Sequence, residues 1–158
     1  MAKVLIVYYS RTGNTEMMAE IIEGAIKKEG VEVDRKKVED ISCDALLDYD
    51  ALVVGSPTYY GTMAAEIKQL FDDSVKFHGD LAGRIGGAFT SAANLGGGNE
   101  TTILDILKAM LIHGMLIQGD PRGDHYGPVA IGKPDERAKG ECMRFGKNIA
   151  GLVKKLAK

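Results

Sequence analysis

The chain has 158 residues, 45% hydrophobic and 27% charged, with a net charge of −2, so the expectation is one domain over residues 1–158 built on one core. Twenty basic against 22 acidic residues leave no basic footprint for nucleic acid, and no apolar run approaches the roughly 18 residues needed to span a bilayer. The chain begins directly with a strand pattern rather than a signal-peptide layout, and Cys43 and Cys142 stand apart without metal-ligand spacing, which predicts a cytoplasmic protein without a metal centre.

Taken in chain order, the first strand is expected over residues 3–9. It runs into the turn Ser10-Arg11-Thr12-Gly13-Asn14-Thr15. A helix follows over 14–29, burying Met17, Met18, Ile21, Ile22 and Ala25 at three- and four-residue spacing, until Gly30 stops it. Residues 31–38 alternate as a half-exposed edge strand does, with Arg35, Lys36 and Lys37 as edge protection. The run 51–55 is wholly apolar and therefore central. A second loop, Ser56-Pro57-Thr58-Tyr59-Tyr60-Gly61-Thr62, opens a helix whose buried stripe is Met63, Ile67, Leu70, Phe71 and Val75. The fourth strand covers 84–91, and a third loop follows with Ala92, Ala93, Asn94, Leu95, Gly96 and Gly97. The helix after it buries Ile103, Leu104, Ile106, Leu107, Met110 and Leu111 and is capped by Gly114. A fifth strand starts at 115–117 and resumes at 128–131. The last helix begins near Pro134 and buries Ala138, Cys142, Phe145, Ile149, Leu152 and Leu156.

Successive strand and helix patterns define an α/β fold: a doubly wound five-stranded parallel sheet of order 2-1-3-4-5 with helices on both faces. In such sheets ligands bind beyond the carboxyl ends of the strands, at the switch between strands one and three. All three loops fall on that rim. The first aims free N–H groups, a helix dipole and the hydroxyls of Ser10, Thr12 and Thr15 at one point, which suits a dianionic phosphate. It holds no lysine and matches neither the nucleotide-triphosphate loop nor the dinucleotide fingerprint. Arg11 can reach a phosphate, steer an anionic substrate or point to solvent. Tyr59 and Tyr60 offer a flat face for stacking, and the amides from Ser91 to Gly97, with the Asn94 side chain, can read the polar edge of a ring. His113 sits at a helix C-terminus as a charge–dipole partner. His125 and Tyr126 have the option of covering a ring from a neighbouring loop, and Glu100 complements a helix start.

The pattern [ST]-x-T-G-x-T at 10–15 resembles the phosphate loop of flavodoxins. Together with Gly55-Ser-Pro-Thr-Tyr-Tyr-Gly-Thr-Met63 and Phe89-Thr-Ser-Ala-Ala-Asn-Leu-Gly-Gly-Gly-Asn-Glu100, it resembles the WrbA-type, tryptophan-repressor-binding-protein-like, FMN-dependent NAD(P)H:quinone oxidoreductases over nearly the whole chain. That resemblance implies FMN as the cofactor. Its phosphate would lie on Ser10, Arg11, Thr12, Gly13, Asn14 and Thr15. Pro57, Thr58, Tyr59, Tyr60 and Gly61 would contact the ribityl chain and ring, and Ser91, Ala92, Ala93, Asn94, Leu95, Gly96 and Gly97 would wrap its other side. It also implies NAD(P)H and a quinone as substrates, with ping-pong hydride transfer through flavin N5. Since the cofactor carries that chemistry, no residue is named as catalytic. Gly61 is placed to permit a flip of the Tyr60–Gly61 peptide near N5. Two departures stand out: the family's flavin-contacting histidine falls on Ile112, and the connections at 38–49 and 118–123 are shorter than in full-length members. Those segments help shape the family's tetramer, so a homo-oligomer, dimer or tetramer, is an open expectation here. The alternatives are a flavodoxin carrying electrons between redox partner proteins, and a non-catalytic FMN- or partner-binding module.

Overall fold

A computed structural model describes residues 2–156. Its strands are β1 (Lys3–Tyr8), β2 (Glu32–Lys37), β3 (Ala51–Pro57), β4 (Ile85–Ala92), β5 (Leu116–Ile117) and β6 (Val129–Ile131). Its helices are α1 (Asn14–Lys28), α2 (Ala65–Asp73), α3 (Asn99–Ile112) and α4 (Glu136–Leu156). The sheet is parallel, in the order β2-β1-β3-β4-β5, with β6 also paired to β4. The β1 and β3 runs are apolar throughout because both faces of the sheet are covered. Leu5, Val7, Leu52 and Val54 enter the core beneath α2 and α3, while Val4, Ile6, Ala51 and Val53 enter the one beneath α1 and α4.

The fifth sheet position is interrupted, as the two runs at 115–117 and 128–131 predict, so six strands fill five positions. β5 lies beside Ile85 and Gly86, and β6 lies beside Thr90 to Ala92. Between them residues 118–128 leave the sheet and are tied to α4. Arg144 Nε donates to Asp120 Oδ2 (2.7 Å) and Arg137 Nη1 to Asp124 Oδ1 (3.0 Å). Asp124 also accepts from the Val129 N–H (2.9 Å), and Arg137 Nη2 donates to the Val129 carbonyl (2.6 Å). That ion pair therefore covers main-chain groups of the β6 edge, which would otherwise be open to another strand. Gly127, at φ +146°, returns the chain so close to the Ala88 carbonyl that a side chain there would overlap it.

Where the elements depart from the expected ones, the causes are local. Residues 38–40 and 43–48 form 3-10 turns where no element was expected. The α2 helix ends at Asp73, so Val75 sits on the following 3-10 turn and is exposed. Leu111 and Leu156 also face outward, near the ends of their helices. Arg35 is not a solvated edge cation: Glu23 accepts from its Nε (2.8 Å), and the Tyr8 hydroxyl accepts from its Nη1 (3.0 Å). No helix among the described residues is long and apolar enough to cross a membrane, and no group of three His, Cys, Asp or Glu side chains is placed to hold a metal ion.

His113 lies where α3 ends, at the pole opposite the carboxyl ends of the strands, with Gly114 bonded to Gly83 just before β4. It is buried. Ser74 Oγ donates to the Phe71 carbonyl (2.7 Å), so His113 Nε2, 2.7 Å from the same Oγ, must be the donor in that pair. This leaves the buried Nδ1 without a partner. Burial, with a smaller contribution from His78, holds the imidazole below its ordinary value of 6.5. The unfolded chain therefore binds more protons than the native one below that value, and stability falls as pH drops from 6.5. Urea unfolding at pH 7 and at about pH 5 should show this loss in the wild type and a smaller one in His113→Gln. Equal losses in the two proteins would place the sensitivity elsewhere.

Candidate functional site

The carboxyl ends of β1, β3, β4 and β6 meet at one rim, where a cleft of about 320 Å³ opens. Ser10, Arg11, Thr12, Asn14 and Thr15 line it from loop one. Pro57, Thr58 and Tyr59 line it from loop two, and Ser91, Ala92 and Ala93 from the end of β4 and the loop beyond. These are residues expected from the sequence, brought together from three separate stretches. Gly132 completes the wall. It was missed, although a glycine between a strand and the Pro134 helix start was a readable signal.

Loop one is shaped by Gly13, the residue before α1, whose φ of +96° lies in the left-handed region. The Ser10 hydroxyl accepts from the N–H groups of Gly13 and Glu16, both at 3.2 Å. The Gly13 N–H is thus already used, a correction to the full set of amides expected from 11 to 15. Among the described residues the N–H groups of Arg11, Thr12, Asn14 and Thr15 have no protein acceptor. Four unpaired donors at a helix N-terminus, beside hydroxyls and with no carboxylate on the cleft wall, form a cradle for a dianion. Each charged hydrogen bond there is worth roughly 1.5–3 kcal/mol.

The adjoining wall is a chain of hydroxyls with a definite polarity. Thr90 Oγ1 donates to the Ser56 carbonyl (2.6 Å), so Thr58 Oγ1, 2.9 Å away, must donate to Thr90. Thr58 then offers only lone pairs to the cleft. Thr15 Oγ1 and Ser91 Oγ lie 2.8 Å apart; one hydrogen is shared between them and one remains to donate outward. Acceptor and donor in sequence suit a polyol.

Tyr59 is held on two sides. Tyr9 meets it edge-on at 6.4 Å, and the Arg11 guanidinium lies 5.1 Å from its ring centre. Burial pushes the Tyr59 phenol up, with Arg11 opposing. Arg11 therefore bridges loops one and two rather than pointing into solvent alone. Tyr60 and Gly61 do not line the cleft: they form the tip of a turn on its rim, and Tyr60 is fully exposed. The turn is closed by reciprocal backbone bonds between Tyr59 and Thr62 (2.9 and 3.1 Å). Tyr60 at φ +48° and Gly61 at +78° make it type I′. A non-glycine residue held there costs about 1–3 kcal/mol. Rotating the 60–61 peptide alone would give type II′, which takes glycine at its first central position. The simple flip expected from Gly61 would therefore put Tyr60 in a backbone region that favours glycine.

Asn94, Leu95, Gly96 and Gly97 also stand off the cleft wall. Leu95 and Gly96 instead border a second cleft, of about 560 Å³, beyond loop three, with Gly98, Asn99, Val129, Ile131 and Arg137. Leu95 is 85% exposed. Asn94 closes its own loop, accepting from the Gly97 N–H (3.3 Å) through its carbonyl. Glu100 is in the first turn of α3, as a dipole partner should be. His125 and Tyr126 belong to the 118–128 excursion; His125 Nδ1 pairs with the Asp120 carbonyl (2.7 Å), which leaves them outside the first cleft.

With this geometry, the comparisons with known proteins agree. The family model described as Flavodoxin matches residues 6–103. A flavodoxin from Aquifex aeolicus (strain VF5) is 41% identical over 162 residues, covering 97% of this chain and 88% of the relative. An NAD(P)H dehydrogenase (quinone) from Sinorhizobium fredii (strain NBRC 101917 / NGR234) is 36% identical, covering 99% of this chain and 100% of the relative. A solved flavodoxin from the domain Archaea superposes with a TM-score of 0.81 at 32% identity, covering 96% of this chain and 99% of that one. The chain belongs to the flavodoxin family, and its cofactor is FMN. The alignment with the Sinorhizobium protein extends over 198 positions and that with the Aquifex protein over 162, so the former relative carries insertions that this chain lacks.

Proposed function

We propose that the chain is a single FMN-binding domain acting as an NAD(P)H:quinone oxidoreductase in the cytoplasm. In this reading the unpaired amides of Arg11, Thr12, Asn14 and Thr15, with the hydroxyls of Ser10, Thr12 and Thr15, bind the phosphate. Pro57, Thr58, Ser91, Ala92 and Ala93 flank the ribityl chain, with Thr58 accepting and the Thr15–Ser91 pair donating. Tyr59 covers one side of the ring, and the loop from Asn94 to Gly97 closes the other. Bound FMN supplies hydride acceptance from a reduced nicotinamide and two-electron delivery to a quinone. The residues bind, orient and screen it; none is required as an acid or base.

The observation that carries this reading is the second cleft. Its volume of about 560 Å³ lies within the range of about 300–1,000 Å³ typical of small-molecule sites. Leu95, Val129 and Ile131 give it apolar walls suited to a flat ring, and Asn99, Thr101, Glu100 and the Asp124–Arg137 pair give it a polar side. A protein that only docks on redox partners has no need of such a cavity, and a net charge of −2 provides little field for steering them. The electron-carrier reading draws on a different fact, the alignment with the Aquifex flavodoxin without long insertions.

Adding NADH or NADPH to FMN-loaded protein without air separates the two. Prompt bleaching of the flavin absorbance, with turnover on benzoquinone, is the expected result. No bleaching by either nucleotide, together with reduction by a ferredoxin reductase, would establish the carrier instead.

A further inference from the structure

Glu16 is the third residue of α1. A glutamate there ordinarily turns back onto the free N–H groups at the start of its own helix, where the dipole favours its charge. In this chain its carboxylate is drawn off to the side. The Tyr8 hydroxyl donates to Glu16 Oε1 (2.7 Å), and Arg35 Nη1 and Lys37 Nζ stand 3.8 and 3.9 Å from the same oxygen. Tyr8 ends β1 and lies opposite Lys37 of β2, so the register of two strands builds this holder. Arg35 is itself fixed: Glu23 accepts from its Nε (2.8 Å), Glu20 lies 3.6 Å from its Nη2, and the Tyr8 hydroxyl accepts from its Nη1 (3.0 Å). Burial and the bond to Glu16 push the Tyr8 phenol up to about 12, so it stays a donor. The Gly13 N–H meets the Ser10 hydroxyl rather than Glu16 (3.2 Å), and no carboxylate reaches the wall of the first cleft.

We propose that Tyr8, Arg35 and Lys37 set the affinity of loop one for the cofactor phosphate by holding back Glu16, a competing anion built into the same helix turn. This rests on the phosphate lying on loop one, as read above. A released Glu16 acts on the cradle in two ways. Its carboxylate competes with Ser10 for the Gly13 N–H, which loosens the loop, and its charge compensates the positive end of the α1 dipole from within the chain. A dianion arriving there then meets a like charge within one helix turn. The holders divide the task. Tyr8 supplies the hydrogen bond that fixes the direction of the carboxylate, while Arg35 and Lys37 offset its charge. All three are positioning residues, since none of them lines the cleft. Glu16 supports the loop only through its backbone N–H, which donates to Ser10 Oγ (3.2 Å). Neutralising its side chain therefore removes the competitor and leaves the cradle in place.

Titration of the full chain with FMN and, separately, with riboflavin, followed by flavin fluorescence, tests this. Tyr8→Phe combined with Arg35→Met should bind FMN roughly fivefold more weakly than the wild type, and riboflavin equally well. Adding Glu16→Gln to that pair should return FMN affinity to that of Glu16→Gln alone. Adding Glu20→Gln instead, which removes the same charge one turn further along α1, should not. Tyr8→Phe by itself keeps the buried ring and with it the fold. It should show a loss of about twofold in the same direction, again reversed by Glu16→Gln. Unchanged FMN affinity in either Tyr8 variant, an equal loss of riboflavin affinity, or equal recovery with Glu20→Gln each overturns the proposal. A wild type that binds FMN no more tightly than riboflavin overturns the placement of the phosphate instead.

Discussion

Thr12→Ala combined with Thr15→Ala is expected to weaken FMN binding at least tenfold, about 1.4 kcal/mol, and riboflavin binding by clearly less. Both hydroxyls border the cradle of unpaired amides at the start of α1, and only FMN brings a phosphate to it. Thr15 is also buried and shares a hydrogen bond with Ser91 (2.8 Å), so its loss frees the Ser91 hydroxyl. A single change at Thr15 should therefore cost some stability, about 1 kcal/mol for one hydrogen bond. Calorimetric titration with both flavins, beside a thermal melt of each variant, distinguishes the two effects. Unchanged FMN affinity in a folded double variant would remove the phosphate from loop one.

Gly127→Ala is expected to be the most disruptive small change, costing about 3 kcal/mol or more and lowering the Tm by roughly 6–12 °C. Gly127 combines a φ of +146° with a position where a methyl group overlaps the backbone carbonyl of Ala88, on β4. The neighbour is main chain in the sheet and cannot swing aside as a side chain would. The pairing of β6 to β4 should be lost first, because Gly127 enters that strand through Pro128, whose carbonyl accepts from the Thr90 N–H (3.0 Å). Gly30→Ala is the matched control. Its φ of +75° is also left-handed, but nothing lies within 4 Å of the added methyl, so only the backbone cost of about 1–2 kcal/mol applies. Similar Tm losses in the two variants would mean that the Ala88 contact does not matter.

Much of the fold was legible because its signals are local. An apolar run such as Val4 to Val7, flanked by turn chemistry and followed by an apolar stripe at helical spacing, has few other readings. Repeated along the chain, it sets the order of elements and hence the sheet. The break in the fifth strand was legible only as a gap between two apolar runs. Its cause, the hold of α4 on Asp120 and Asp124, joins residues up to 24 apart in sequence. Arg35 misleads for the same reason: its partners Glu23 and Tyr8 lie on other elements, invisible to a reading of one strand.

The site divides in the same way. Loop one was readable in place and composition, since Ser10, Gly13 and the first turn of α1 build it within seven residues, but not in which N–H groups the Ser10 hydroxyl takes up. Loops two and three were readable as composition but not as shape. Asn94 to Gly97 carry the glycines and amides of a ring-binding loop, yet in the structure they stand away from the cleft wall. The polarity of Thr58 depends on Thr90 and Ser56, two strands brought into register.

By itself, then, the sequence determined the order of strands and helices, the anion cradle and the membership of a flavin-binding family. Each of these depends on neighbours a few residues apart. Only the tertiary structure decided which amides stay unpaired, which way the hydroxyls point and how Tyr60 is held. Those depend on groups that meet across the sheet, such as Thr101 on Gly61 and Thr15 on Ser91. Nothing in Tyr60-Gly61 alone calls for a left-handed tyrosine; contacts 40 residues further along the chain impose it.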